Sequence, residues 1–270
     1  MAFIEENNNG LIYMRSDLLP LRHAFTTRYG GVSKGYLSSL NLISNHGDDP
    51  DNIVENFRRV SALMGAGPND CAVTNQVHGN TVRIVNEQDR HALLSKIRYE
   101  ADGLVSATPG LPIACCTADC VPVLLCDANA GVIGAVHCGW RSSVLDILGN
   151  ALAAMQSLNA EPGRILAAIG PAIGKCCFET DDDVPNAIKE WLSGDTEGLF
   201  QRRTDGKTLV DLRGANARRL QQLGLGPNQI DISEECTFCS HEKYWSHRYT
   251  KGRRGGQCAI IVLPKSGESK

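Results

Sequence analysis

The sequence predicts an α+β fold in a single domain, and three observations carry that expectation. Strand-like and helix-like segments follow one another in mixed order, without the regular alternation of a doubly wound parallel sheet. Short turn segments that fit hairpins occur beside longer stretches that fit crossovers. No repeat, low-complexity tract or linker divides the 270 residues, of which 42% are hydrophobic, so one core is expected over residues 1–270.

The elements follow from local pattern. Residues 22–27 read as a strand running into the Gly30-Gly31 turn, and residues 51–64 as a helix opened by Asp49-Pro50 and closed near Gly65. Residues 76–85 read as a strand region. The centre is the most strand-like part, at 111–116, 121–127 and 131–137, with residues 127–131 as a hairpin connection. Residues 142–158 carry apolar side chains at helical spacing (Val144, Leu145, Leu148, Leu152, Met155), and a second amphipathic helix is expected over 212–223. Further strands are expected at 164–169 and 259–263, and the two ends read as the least structured stretches.

Charge and cysteine content narrow the class of protein. A formal net charge of -3 gives no sustained attraction to nucleic acid or an anionic membrane, and the basic run Lys251-Gly252-Arg253-Arg254 reads as a solvated loop. The first residues lack the basic and apolar regions of a signal peptide, and no apolar run approaches the roughly 18 residues of a membrane span. Eleven cysteines, an odd number with two adjacent pairs (Cys115-Cys116 and Cys176-Cys177), fit reduced thiols, so a cytoplasmic protein is expected.

The chemistry concentrates in three segments: Asn75-Gln76-Val77-His78-Gly79, Thr117-Ala118-Asp119-Cys120 and Val136-His137-Cys138-Gly139-Trp140-Arg141. Cys120 and His137 are expected at the ends of neighbouring strands. Two imidazoles and one thiolate form a three-ligand set for a catalytic zinc, with a fourth position open. Copper is the second choice, because a blue-copper centre adds an axial Met and none of the four methionines lies near Cys120 or His137 in sequence. Seven histidines with no His-x-His pair are too few for a multicopper oxidase. The nucleobase-deaminase signature H-x-E is absent at His78 and His137. A metal-free hydrolase with Cys120 as nucleophile and His137 as base uses the same side chains and stays open.

Other motifs carry less. Cys236-Thr237-Phe238-Cys239 is a CxxC with no second CxxC, and His241 and His247 follow too closely for a zinc finger, so a buried structural role is expected. Gly170-Pro171-Ala172-Ile173-Gly174 ends a strand and reads as a turn with backbone N–H groups for an anion. Arg28, Arg58, Arg141 and Arg248 stand in polar contexts where a guanidinium suits phosphate or carboxylate, with Arg141 the first choice.

Together these segments resemble the YfiH family, the bacterial relatives of the laccase-domain purine nucleoside phosphorylases. The resemblance runs in order from Phe25-Thr26-Thr27-Arg28-Tyr29-Gly30-Gly31 through Gln76-Val77-His78-Gly79, Ala101-Asp102-Gly103, Thr117-Ala118-Asp119-Cys120 and Gly139-Trp140-Arg141 to Gly252-Arg253. It implies one domain of layered mixed β-sheets flanked by helices, with zinc at His78, Cys120 and His137. It also implies phosphorolysis of adenosine, inosine, guanosine and methylthioadenosine, with adenosine deamination as a side activity. Purine nucleosides and phosphate are then the partners, Arg141 the leading phosphate holder, and Asp119 a proton donor or a residue orienting the site. Alternatives within the resemblance are an amide hydrolase editing a cell-wall (UDP-muramoyl) precursor and a copper-binding polyphenol oxidase. The chain departs from the family pattern at Cys138, which stands to compete for metal, and at Asn45.

Overall fold

The computed structural model describes residues 2–44, 46–67, 70–90 and 99–265. Two sheets carry the architecture. The first has five antiparallel strands in the order β1 (Phe3–Asn8), β2 (Leu11–Ser16), β3 (His23–Thr26), β14 (Gln257–Ile261) and β6 (Ile113–Thr117). The second has six strands in the order β13 (Ile230–Ile232), β9 (Leu166–Ile169), β7 (Val121–Asp127), β8 (Val132–Cys138), β5 (Gly103–Ser106) and β4 (Val82–Ile84). Its outer pairs, β13 with β9 and β4 with β5, are parallel, and its inner pairs are antiparallel. A small third sheet holds β10 (Glu179–Thr180), β12 (Thr208–Val210) and β11 (Phe200–Arg202). The helices are α1 (Pro50–Leu63), α2 (Trp140–Val144), α3 (Ile147–Ser157), α4 (Asp183–Trp191), α5 (Leu212–Gln222) and α6 (His247–Thr250).

The period of two along the strands builds four layers. On β7 and β8, Val123, Leu125, Val132, Val136 and Cys138 pack with Leu148, Leu152 and Met155 of α3 and with Ile188 and Leu220 of α4 and α5. The alternate residues, Leu124, Cys126, Ile133 and Ala135, face Phe25, Ile113, Cys115, Ala259 and Ile261 of the five-stranded sheet. The other side of that sheet, Ala24, Ala114, Cys258 and Ile260, packs on Ile53, Phe57 and Val60 of α1. The order is therefore helix, sheet, sheet, helices, an α+β arrangement in which both sheets are covered on both faces. Among the described residues, no helix is long and apolar enough to cross a membrane.

Several expected elements stand where the pattern put them. Helix α1 begins at Pro50 with the Asp49 carboxylate accepting from the Asp51 N–H at 3.0 Å. Strands β7 and β8 form the expected hairpin, its turn held by Asp127 Oδ1, which accepts from the N–H groups of Asn129 and Ala130.

Three expectations change. Residues 76–85 contain strand only at β4, because the N–H groups of Val77, His78 and Gly79 all turn to the Asp102 carboxylate instead of a ladder. The 142–158 helix is broken at Asp146, which adopts φ +64°, ψ +41° and binds Arg219 and Trp191. Leu145, counted in the apolar stripe, is exposed at that break. The N-terminal stretch is a hairpin, with Asn9 and Gly10 at φ 52° and 87° as its two-residue turn.

Candidate active site

The site forms at the end of the sandwich where β6 passes into β7. Asp119, at φ 85°, turns the chain just before β7 and leaves Cys120 partly exposed at the strand's mouth. His137 lies on β8 opposite Pro122 of β7, on the face shared with Ile133 and Ala135. The third residue, His78, sits in the loop before β4 at φ 60°. One ligand atom from each of His78, Cys120 and His137 lies within 4.8 Å of the other two, and the two imidazoles meet edge to face with centroids 4.8 Å apart.

Asp102 organises this set. Its Oδ1 lies 2.8 Å from His137 Nδ1, and its carbonyl accepts from the His137 N–H at 2.7 Å. The same carboxylate accepts from Val77, His78 and Gly79 N–H at 2.8 to 3.1 Å, so one buried side chain fixes both histidines. With Nδ1 engaged, Nε2 of His137 is left for a ligand, the usual arrangement of a carboxylate behind a metal-binding imidazole. Burial alone would raise the Asp102 carboxyl, but His137 and the backbone donors outweigh it and hold it below its ordinary value. Burial alone would lower His137, yet the Cys120 sulfur and Asp102 push it up to about 9. His78 is lowered, first by burial and then by the charge of His137.

Gly139 explains how three side chains fit. A Cβ there would stand 2.6 Å from His78 Nδ1 and 3.4 Å from Cys120 Sγ, so only a glycine lets the β8–α2 turn pass behind the set. Cys138 takes no part: it is fully buried on the helix-facing side of β8, and burial holds its thiol far above the ordinary range. The expected competition for metal is thereby removed by strand alternation. Asn45 lies outside the described residues.

The three residues line a cleft of about 800 Å³ with Trp140, Ile173, Phe178 and Leu212 as apolar wall. Its cationic side comes from Arg248 and Arg254, with His46 and His247 beside them. His46 and His247 are lowered by burial and then by the charge of Arg254, as expected of a cleft that gathers positive charge. Asp119 faces this side with both oxygens engaged, Oδ1 accepting from Thr237 Oγ1 and Oδ2 from the Arg248 N–H, each at 2.6 Å.

The four arginines named from sequence separate. Arg248 lines the cleft, while Arg28 donates to the Ser38 and His241 carbonyls and lies over the Trp245 ring, outside the cleft wall. Arg58 is exposed and paired with Glu55. Arg141 packs its guanidinium 4.4 Å from the Trp140 ring centroid, one residue behind the wall, near enough for its charge to lower His78. Sequence reasoning missed Arg254, read as part of a solvated loop, and Asp102, whose role depends on contacts 23 to 35 residues away. The turn at residues 170–174 spends its N–H groups internally: Gly170 on Pro122 O, Ile173 on Asp119 O and Gly174 on Cys236 Sγ. No anion is left those donors.

The whole chain has well-matched relatives. The family model described as multi-copper polyphenol oxidoreductase laccase matches residues 22–264. A protein of Deinococcus radiodurans named purine nucleoside phosphorylase is 40% identical over 256 residues, covering 95% of this chain and 94% of its own. The crystal structure of YlmD from Geobacillus stearothermophilus superposes with a TM-score of 0.90 at 30% identity, over 98% of this chain and 100% of that one. That of YfiH from Bacillus licheniformis gives 0.90 at 28%, over 96% and 98%. With its layered sheets and its two histidines and cysteine at one cleft, the chain belongs to the YfiH family, the polyphenol oxidoreductase laccase family of that model.

Proposed function

We propose that the protein is a zinc-dependent purine nucleoside phosphorylase acting on adenosine, inosine, guanosine and methylthioadenosine, with adenosine deamination as a side activity. The observation that carries this reading is the placing of His78, Cys120 and His137 in the wall of a cleft whose other polar side is cationic. Relatives named purine nucleoside phosphorylase support it. The donor set fits zinc: two imidazoles, one oriented by a carboxylate, and one thiol at the cleft edge. No methionine lines the cleft among the described residues, which weighs against a blue-copper centre. Zinc held there would supply Lewis-acid polarisation of the nucleoside, on which phosphorolysis would depend, and would acidify water, which deamination needs.

The chain's own residues hold and orient the partners of phosphorolysis. Phosphate attacks the ribose anomeric carbon as the bond to the purine nitrogen breaks, giving ribose 1-phosphate and the protonated base. Arg248 and Arg254 hold the anionic nucleophile against a sugar that becomes cation-like. Trp140 and Phe178 offer aromatic surface to the purine. Asp119, with both oxygens occupied, positions Arg248 through its backbone rather than donating a proton.

One observation favours a second reading. The His137 ring meets both Asp102 and the Cys120 sulfur, and that arrangement suits a thiolate nucleophile with an oriented base, as an amide hydrolase editing a cell-wall precursor would need. The phosphorylase reading places His78 in the same set and gives it a task, which the hydrolase reading does not. Incubating the protein with inosine and varied phosphate tests the two. Ribose 1-phosphate and hypoxanthine are expected to appear in equal amounts and only with phosphate. Free ribose in place of ribose 1-phosphate, or no turnover of inosine, at every phosphate concentration would refute phosphorolysis.

A further inference from the structure

Four cysteines outside the cleft converge from two distant parts of the chain. Cys176 and Cys177 lie in the turn between β9 and β10, and Cys236 and Cys239 in the segment between β13 and α6. Their sulfur atoms all lie within 4.8 Å of one another, with Cys177 to Cys239 at 3.4 Å and Cys176 to Cys239 at 3.7 Å. Sulfurs at about 2.3 Å from a tetrahedral zinc stand about 3.8 Å apart, so the spacing matches one ion and leaves no room for a multi-metal cluster. The CxxC of the sequence therefore does have a partner pair, supplied by adjacent cysteines in the other turn.

The backbone is built around these sulfurs. The Gly174 N–H donates to Cys236 Sγ at 3.2 Å, and a Cβ on Gly174 would meet Cys176 Sγ and the Cys236 Cβ at 3.2 Å each. The two turns are joined by the Thr237 N–H donating to the Ala172 carbonyl at 3.0 Å. Burial would raise Cys236, but N–H groups of Cys239, Gly174 and Phe238 directed at its sulfur lower it. Cys176 and Cys177 are raised, first by burial. Such crowding of thiols is relieved by one cation.

We propose that Cys176, Cys177, Cys236 and Cys239 form a second metal centre, a closed four-thiolate zinc site that fastens the turn after β9 to the segment after β13. Zinc binding forms four Zn–S bonds and passes the thiol protons to solvent, with no change of oxidation state. Four sulfurs fill the coordination sphere, so the site braces structure and does not catalyse. What it braces is the cleft: Ile173 donates its N–H to the Asp119 carbonyl, Thr237 donates its hydroxyl to the Asp119 carboxylate, and Phe178 forms part of the wall. The guanidinium of Arg213, bound to the Glu235 carbonyl at 2.9 Å, lies beside Gly174 and offsets the negative charge of the filled site.

Metal analysis of the full chain, purified under reducing conditions with zinc, tests this independently of any activity. About two zinc ions per chain are expected, falling to about one in Cys120→Ser and to about one in Cys176→Ser/Cys239→Ser. In a His78→Ala/Cys120→Ser/His137→Ala chain, one equivalent of Co(II) should give the strong thiolate-to-cobalt absorption of a four-sulfur site, and Cys236→Ser added to it should abolish that band. The cobalt spectrum decides even where the double cysteine variant fails to fold. Absence of zinc and of the cobalt band in the triple variant would overturn the site, as would a mass showing a disulfide among the four cysteines in protein isolated under reducing conditions.

Discussion

At the scale of single residues, Asp102 is the position through which the site is assembled. Its carboxylate holds the His137 ring and three N–H groups of the loop bearing His78, so both imidazoles depend on one group. Asp102→Asn is expected to weaken zinc binding by about 10–100-fold, the cost of losing a carboxylate behind a ligand imidazole, measured by competition with a chromophoric chelator. Unchanged affinity would show that His137 is oriented otherwise. Cys120→Ser, His78→Ala and His137→Ala should each lose most zinc from this site together with phosphorolysis, because a hydroxyl or a methyl replaces a strong donor. A folded Cys120→Ser that keeps full metal and loses activity would favour the hydrolase reading. That His78, Cys120 and His137 belong together was legible in the sequence because their side chains carry their chemistry with them. Asp102 and Arg254 were not, since an aspartate or arginine acquires its task only from what the fold sets beside it.

At the scale of elements, period and caps were readable where an element buries one face, and unreadable where side chains capture the backbone. The α1 helix and the β7–β8 hairpin belong to the first kind. The loop before β4 and the break at Asp146 belong to the second, being set by Asp102 and by Arg219. The N-terminal hairpin carried a signal in Asn9-Gly10, a dipeptide suited to two positive φ values, that the polar composition of the stretch obscured. At the break, Arg219 reaches Asp146 with two hydrogen bonds of 2.8 and 2.6 Å, and Trp191 adds a third. Asp146→Ala is expected to cost about 1–3 kcal/mol in urea unfolding, because it leaves partly buried donors without their acceptor and places a Cβ residue without compensating hydrogen bonds at φ +64°. Acid acts in the same direction. Burial would raise Asp127 and Asp146, but hydrogen bonds from backbone and arginine hold both below the ordinary 3.8. A depressed folded value means their stabilisation is complete above pH 3.8 and is lost as pH falls through the lower folded values. Urea midpoints should therefore drop below about pH 4, and Asp146→Ala should flatten that drop. An equal slope in the variant would rule out this assignment.

At the scale of the whole molecule, the four layers separate what folds the chain from what the cleft does. The apolar clusters on the faces of the two sheets contain none of His78, Cys120 and His137, and His78 is exposed in a loop. A core of this extent does not wait for a metal, unlike that of a small zinc-dependent module. Chelation is therefore expected to leave the far-ultraviolet circular dichroism near that of the untreated protein and to abolish phosphorolysis, with zinc restoring it. Bound metal should still raise the unfolding free energy, by about 2.7 kcal/mol for each site at which free zinc stands 100-fold above the dissociation constant, provided the unfolded chain binds none. The cysteines of the unfolded chain do bind zinc, so the measured gain should fall short of that figure. Chelated protein that loses its secondary structure, or that regains activity with no metal added, would contradict the separation: the first by tying the core to the metal, the second by removing metal from the reaction.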